Sequence, residues 1–279
     1  MAADPARDAT HLEPIEAAAT LARETVDWAL SVVAPGVVPA ELAEHIAERL
    51  TRARAVPVLR GYASGTDRVP PFPAAACIGV NERVVNAVPT NTPLQAGDVV
   101  SVDLALSLDG WHADVADSTV VGATPGRDQL IPKLRSAMDA WLARPFAGSR
   151  PSEVASNAEE IARRSGLRLL PEHLGHGIGR SLHQAPRLPI PGRPATNDEP
   201  LRVGTVLAVE LAAIELSSAI YTIPVRFKTL SDGWTRAVRG GVGATVERMI
   251  VLESDQNRFL SAVRPQSETV ARDGTDGVA

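Results

Sequence analysis

Hydrophobic and polar positions alternate most sharply between Val99 and Gly122, in VVSVDLALSLDGWHADVADSTVVG. In an extended chain Val100, Val102, Leu104, Leu106 and Leu108 share one face, and Ser101, Asp103, Ala105 and Ser107 share the other. Asp109-Gly110 interrupts the run. An Asp-Gly pair between alternating residues predicts a two-residue hairpin turn with positive φ at both positions. Such a turn pairs Leu108 with Trp111 and sets Ala105 opposite Asp114. Asp103 then lies diagonal to Asp114 on the same face, roughly 7–8 Å away at Cα. Two carboxylates facing each other repel unless something positive lies between them. The hairpin is therefore either a solvated polar face or part of a metal site.

Helical periodicity governs the flanking stretches. From Glu13 the apolar positions Ile15, Leu21, Val26, Leu30 and Val33 recur at helix spacing until Pro35-Gly36 stops them. A second helix is predicted from Pro39 to about Arg54, with Leu42, Ile46 and Leu50 on one face. Ala55 to Asn81 reads as a short strand, a Gly/Ser/Asp/Pro loop and an apolar strand through Cys77, followed by a turn-rich connection that contains Asn86. After Gly122 the pattern begins again, with helices predicted over Gln129–Ala143 and Pro151–Gly166 and then short strands and glycine-rich loops. Two halves, each with two helices and β-structure, predict an internal pseudo-repeat. Residues 1–12 read as a flexible N-terminus, 13–255 as a single catalytic domain, and 256–279 as a polar, frayed tail.

Composition narrows the function classes. The chain has 279 residues, 44% of them hydrophobic, enough for a sizeable core. Its net charge of −5 offers no electrostatic reason to expect nucleic acid. One cysteine, Cys77, rules out an internal disulfide framework and suits a reducing compartment; set among alanines, it reads as an inert buried thiol. Acidic residues interrupt the N-terminal apolar positions, and no window approaches the ~20 apolar residues of a membrane span. A cytoplasmic protein without membrane or nucleic-acid partners is expected.

The second half supplies candidate chemistry. In Gly175-His176-Gly177-Ile178-Gly179 the glycine spacing and the following prolines exclude a dinucleotide fingerprint. Glycines around one histidine instead allow backbone to crowd close to whatever it holds. Glu210 and Glu247 are embedded in the apolar runs VLAVEL and ATVERMIVL. A buried carboxylate must be paired or metal-bound. Arg248 adjoins Glu247, but strand neighbours point to opposite faces; for Glu210 an edge strand facing water is the main alternative. Asp103, Asp114, His176, Glu210 and Glu247 together form an oxygen-rich set suited to Mn²⁺, Fe²⁺, Co²⁺ or Zn²⁺, and four negative charges match two divalent ions.

These segments resemble methionine aminopeptidases, of the metallopeptidase family with the pita-bread fold. The likeness runs from about Glu13 to Asp255 through EPIEAAATLARETVDWAL, FPAAACIGVNERVVNAVP, GDVVSVDLAL, DGWHADVADSTVVG, GHGIGRSLHQAP, LRVGTVLAVEL, DGWT and ATVERMIVLESD, in the family's order. The resemblance implies an α+β fold of two pseudo-symmetric halves around a central curved antiparallel sheet flanked by helices. It implies that Asp103 binds one of two metal ions, that Asp114 and Glu247 bridge, and that His176 and Glu210 complete the other. A metal-bridging hydroxide would then attack the carbonyl of an N-terminal residue, methionine by resemblance. Glu210 would transfer its proton, and His183 would hold the scissile carbonyl or its oxyanion. Tyr62, Cys77 and Trp234 fall where the family lines its methionine pocket.

This chain departs from the pattern on the substrate side. Asn86 stands where the family has a histidine, and Asn cannot carry an imidazole's proton or positive charge. Leu182 replaces an aromatic, and the loops between Tyr62 and Phe72 and between Glu210 and Trp234 are longer than expected. A peptide or small amide is the expected substrate. The alternatives are a substrate-diverged pita-bread metalloenzyme acting on a specialised peptide or biosynthetic amide, a non-catalytic pita-bread binding protein, and an Xaa-Pro peptidase or creatinase-like enzyme. Retention of every ligand position argues against the binding protein. The onset of the catalytic helices near Glu13 argues against the last, which generally carries a sizeable preceding domain.

Overall fold

The computed structural model describes residues 12–66, 68–122, 129–215 and 227–261. Helices α1 (Leu12–Ser31) and α2 (Pro39–Arg52) precede strands β1 (Val56–Pro57), β2 (Cys77–Val80) and β3 (Arg83–Val85) and the hairpin β4 (Val99–Leu108) and β5 (Trp111–Val120). Helices α3 (Leu130–Leu142) and α4 (Pro151–Arg164) open the second half. Strands β6 (Leu167–Leu169), β7 (Gly175–Gly177), β8 (Gln184–Leu188) and β9 (Val206–Glu215) follow. The chain then runs through β10 (Phe227–Thr229), β11 (Arg236–Val238), β12 (Gly243–Leu252) and β13 (Asn257–Phe259). This is an α+β pita-bread architecture, with a helix pair and an antiparallel sheet in each half.

In the first half β4 pairs with β5 along one edge and with β1 and β2 along the other. The larger sheet of the second half runs β13-β12-β9-β7-β8, with β6 also on β9. The hairpin forms in the predicted register: Leu108 opposes Trp111 and Ala105 opposes Asp114. Asp109 and Gly110 adopt φ of 50° and 76°, as a two-residue turn between twisted strands requires.

The two sheets meet where β5 passes β12. The Ser118 hydroxyl donates to the Thr245 carbonyl at 2.8 Å and accepts from the Thr245 amide at 3.1 Å. Arg248 donates to the Ala116 carbonyl at 3.0 Å and to Asp117 at 2.9 Å. These bonds satisfy buried polar groups at a junction that no strand ladder crosses. The apolar faces of α1 and α2 close one core over the first sheet, and α3 and α4 close another over the second.

Two expectations are corrected. The buried stripe of α1 is made mostly of alanines, Ala18, Ala19, Ala22 and Ala29, with Ile15 and Val26, whereas Leu21, Leu30 and Val33 are only half-buried. Small side chains let the helix settle directly on β4 and β5. The polar stretch beyond Asp255 is ordered through Ser261: β13 pairs with β12, and Leu260 is buried. Asn257 makes that order possible. Its amide group donates to the carbonyls of Leu142 and Arg144 at the end of α3, and its carbonyl accepts from the Phe146 amide at 3.0 Å. The expectations for 1–11 and 262–279 lie outside the described residues.

Candidate metal centre and active site

Five strands contribute the expected ligands, one each. Asp103 lies on β4, Asp114 on β5, His176 on β7, Glu210 on β9 and Glu247 on β12. Glu247 opposes Glu210 directly in the β12–β9 register, a like-charge pair that strand pairing alone disfavours. One carboxylate oxygen from each of Asp103, Asp114 and Glu247 falls within 4.8 Å of the others. His176 Nε2 lies 3.7 Å from Asp114 Oδ2. All five residues line one cavity of about 250 Å³.

The glycines beside His176 have a steric reason. A Cβ on Gly175, whose φ is +145°, would lie 2.3 Å from the Ala208 carbonyl oxygen. On Gly177 it would lie 2.3 Å from that of Ala185. Only glycine allows β7 to be gripped this closely between β8 and β9. His176 Nδ1 is 3.0 Å from the Gly177 carbonyl oxygen. A proton held there leaves the Nε2 lone pair free, the usual arrangement of a metal-binding histidine.

The charges in this site are uncompensated by protein. Burial, followed by the charge of Asp114, raises the Asp103 carboxyl well above its ordinary range. Burial raises Glu210 and Glu247 in the same way, reinforced in each case by the other carboxylates of the cluster. Among the described residues no lysine or arginine pairs with any of the four, and Asp114 Oδ1 is buried without a hydrogen-bond partner. Arg248, the obvious partner of Glu247 in sequence, turns to the opposite face and pairs with Asp117. Oxygen donors that repel one another by a few kcal/mol per pair, with an orphaned buried oxygen among them, fit divalent cations.

Every residue expected to contact substrate also lines the cavity. Cys77 opposes Asp103 across β2 and β4. Burial, then Asp103 and Asp114, pushes its thiol well up, which disfavours the nucleophilic thiolate. Tyr62 packs against Trp234 with ring centroids 6.3 Å apart, and Phe72 meets Trp234 edge-to-face at 5.5 Å. Leu182 is buried beside them. His183 sits against His176 at 4.4 Å, and its Nδ1 lies 3.0 Å from the Tyr62 hydroxyl oxygen. Desolvation in the cavity and the neighbouring His176 lower its pKa to about 4, against the opposing pull of Asp114. Asn86 stands at the exposed rim with φ of 49°.

Phe72, Glu172 and Arg187 line the same cavity but were not among the expected site residues. Phe72 had a legible signal, a lone aromatic in the proline-rich segment PPFP. Glu172 had none, because its partner Arg236, 2.7 Å away, is remote in sequence. Burial raises the Glu172 carboxyl, with Arg236 pulling the other way. Part of the long stretch between Glu210 and Trp234, residues 216–226, lies outside the described residues.

Comparison with known proteins places this geometry among relatives. Residues 13–254 match the profile of metallopeptidase family M24. The chain is 32% identical to methionine aminopeptidase 1 of Mycobacterium tuberculosis, over 92% of this chain and 94% of that protein. It is 28% identical to the methionine aminopeptidase of Clostridium perfringens, over 86% of this chain and 92% of that protein. The crystal structure of methionine aminopeptidase from Thermotoga maritima superposes with a TM-score of 0.80 at 25% identity, covering 92% of this chain and 98% of that one.

Proposed function

Because the chain belongs to metallopeptidase family M24, we propose that it is a metal-dependent aminopeptidase that removes the N-terminal residue of a peptide, with methionine as the first substrate to test. The observation that carries this reading is the convergence of Asp103, Asp114, His176, Glu210 and Glu247 on one cavity, with the buried Asp114 Oδ1 lacking any protein partner. Two divalent ions are the occupancy that balances four carboxylates, and Mn²⁺, Co²⁺, Fe²⁺ and Zn²⁺ all suit the donor set. Such ions acidify a shared water and polarise a bound carbonyl. The catalytic unit is taken as 13–255.

The protein's own groups divide the remaining work. The wall of Tyr62, Phe72, Cys77, Leu182 and Trp234 excludes water and receives an unbranched apolar side chain. His183, neutral and at the cavity edge, is positioned to donate to the scissile carbonyl oxygen. Without bound cations, burial and its carboxylate neighbours favour the neutral form of Glu210. Its place in the cavity suits it to accept a proton and return it to a leaving amine. Asn86 presents only an amide at the rim, which favours a second reading: the same hydrolysis on a specialised peptide or amide.

A turnover screen across N-terminal residues, with Mn²⁺ or Co²⁺ added, tests the first reading. Release of methionine that is abolished by chelation is expected. In Asp103→Ala and Glu247→Ala activity falls at least about a hundredfold, since even outer-shell changes at metal sites cost 10–100-fold. Wild-type turnover in either variant would refute the metal-dependent mechanism. A folded protein that binds metal but cleaves no peptide would shift weight to the specialised substrate.

A further inference from the structure

We infer that Tyr62 is a positioning residue that fixes the tautomer of His183, so that this ring offers an N–H and not a lone pair to the reacting carbonyl. The inference rests on the aminopeptidase reading for its consequence, though not for its geometry. Tyr62 Oη lies 3.0 Å from His183 Nδ1, and the two rings meet edge-on with centroids 5.8 Å apart. A neutral imidazole carries one N–H, and a phenol can donate or accept. The contact therefore admits two states with opposite chemistry. If Tyr62 donates, the proton of His183 resides on Nε2, and the ring is a hydrogen-bond donor. If Nδ1–H donates to Tyr62, Nε2 becomes a lone pair and His183 becomes a candidate metal ligand, since Asp114, His176 and His183 each offer an atom within 4.8 Å of the others.

One observation selects the first state. Among the described residues the Tyr62 hydroxyl proton has no acceptor besides His183 Nδ1. The hydroxyl is moreover held in place from behind. The Tyr62 amide donates to the Leu59 carbonyl at 2.9 Å and the Tyr62 carbonyl accepts from the Phe72 amide at 2.9 Å. Its ring rests on Trp234, whose Nε1 donates to the Pro70 carbonyl at 2.7 Å.

One side chain thus serves both the apolar wall and the catalytic donor. A substrate side chain that packs against Tyr62 acts on the same group that orients His183. Discrimination among N-terminal residues is then expected in kcat more than in KM.

The test begins without substrate or metal. Long-range ¹H–¹⁵N correlations on the metal-free, ¹⁵N-labelled protein at neutral pH report the tautomer of each of its six histidines, and a His183→Asn variant assigns the signal. His183 is expected as the Nε2–H form in the wild type and as a mixture in Tyr62→Phe. In the metal-loaded enzyme Tyr62→Phe is expected to lower kcat on a methionyl peptide about three- to tenfold, the worth of one hydrogen bond, with KM moving less than about twofold. An Nδ1–H form in the wild type, or an unaltered Nε2–H form in Tyr62→Phe, would overturn the inference. A kcat loss with the tautomer unchanged would also overturn it, because it would mark a merely structural role. If no peptide is cleaved, the aminopeptidase reading fails, and the spectra still decide the tautomer.

Discussion

Asn86 shows how much one residue can carry. Its φ of 49° is left-handed, a conformation that asparagine tolerates better than most residues. Histidine is also enriched there, so the backbone at this rim accepts either side chain. Asn86→His is therefore expected to fold with little loss of stability, within about 1 kcal/mol. If the missing imidazole limits hydrolysis, the variant raises kcat on short methionyl peptides. A folded variant without any gain would indicate that the rim is adapted to another substrate. Steady-state kinetics on wild type and variant, with a thermal unfolding control, separates the outcomes.

At the scale of elements, the substrate-side loops are cross-braced. Arg83 on β3 donates to the Val88 carbonyl at 3.1 Å, to Asp232 at 3.3 Å and to the Thr235 hydroxyl at 3.1 Å. The Val88 amide donates to the same hydroxyl at 3.0 Å. Asp232 in turn accepts from the amides of Trp234 and Thr235 at 2.9 and 2.7 Å. The turn that carries Trp234 and the segment that carries Asn86 are thereby one unit. Arg83→Ala is expected to raise KM about three- to tenfold with a smaller change in kcat, since it loosens two walls of the cavity and touches none of the candidate metal ligands. An equal loss in kcat would contradict this division.

At the scale of the molecule, Asp117 joins the halves. It pairs with Arg23 of α1 at 3.2 Å, Arg135 of α3 at 3.0 Å and Arg248 of β12 at 2.9 Å. Burial alone would raise its carboxyl, but Arg248, Arg135 and Arg23 outweigh burial and hold it below the ordinary range. Asp117→Asn removes the carboxylate that three arginines share, leaving Arg23 with Asp27 and Arg135 and Arg248 with backbone carbonyls only, and is expected to cost about 3–5 kcal/mol at pH 7, read from urea unfolding. The sign of the pH effect follows from a depressed folded-state pKa. The stabilisation is complete above the unfolded value near 4 and is lost as pH falls through the lower folded value. The gap between wild type and Asp117→Asn should therefore narrow below about pH 4. A constant gap would mean that the ionised carboxylate is not what holds the halves together.

Legibility followed range. The hairpin register, the helix pairs and the five candidate residues that meet at one cavity could be read along the chain, because alternation, Asp-Gly chemistry, glycines around a histidine and charges stranded in apolar runs are local signals. The alanine stripe of α1 was missed, since small residues become the buried face only against a sheet that sequence periodicity does not contain. The order of Asn257 was missed for the same reason: its partners belong to another element. So were the three arginines around Asp117, the Glu172–Arg236 pair and the bond from Tyr62 to His183, which spans 121 positions. Local covalent and steric preferences thus specify which residues are dispersed along the strands and which faces they share. Folding alone decides their neighbours, because a buried charge or ring nitrogen takes its chemistry from groups that only tertiary packing brings within a few ångströms.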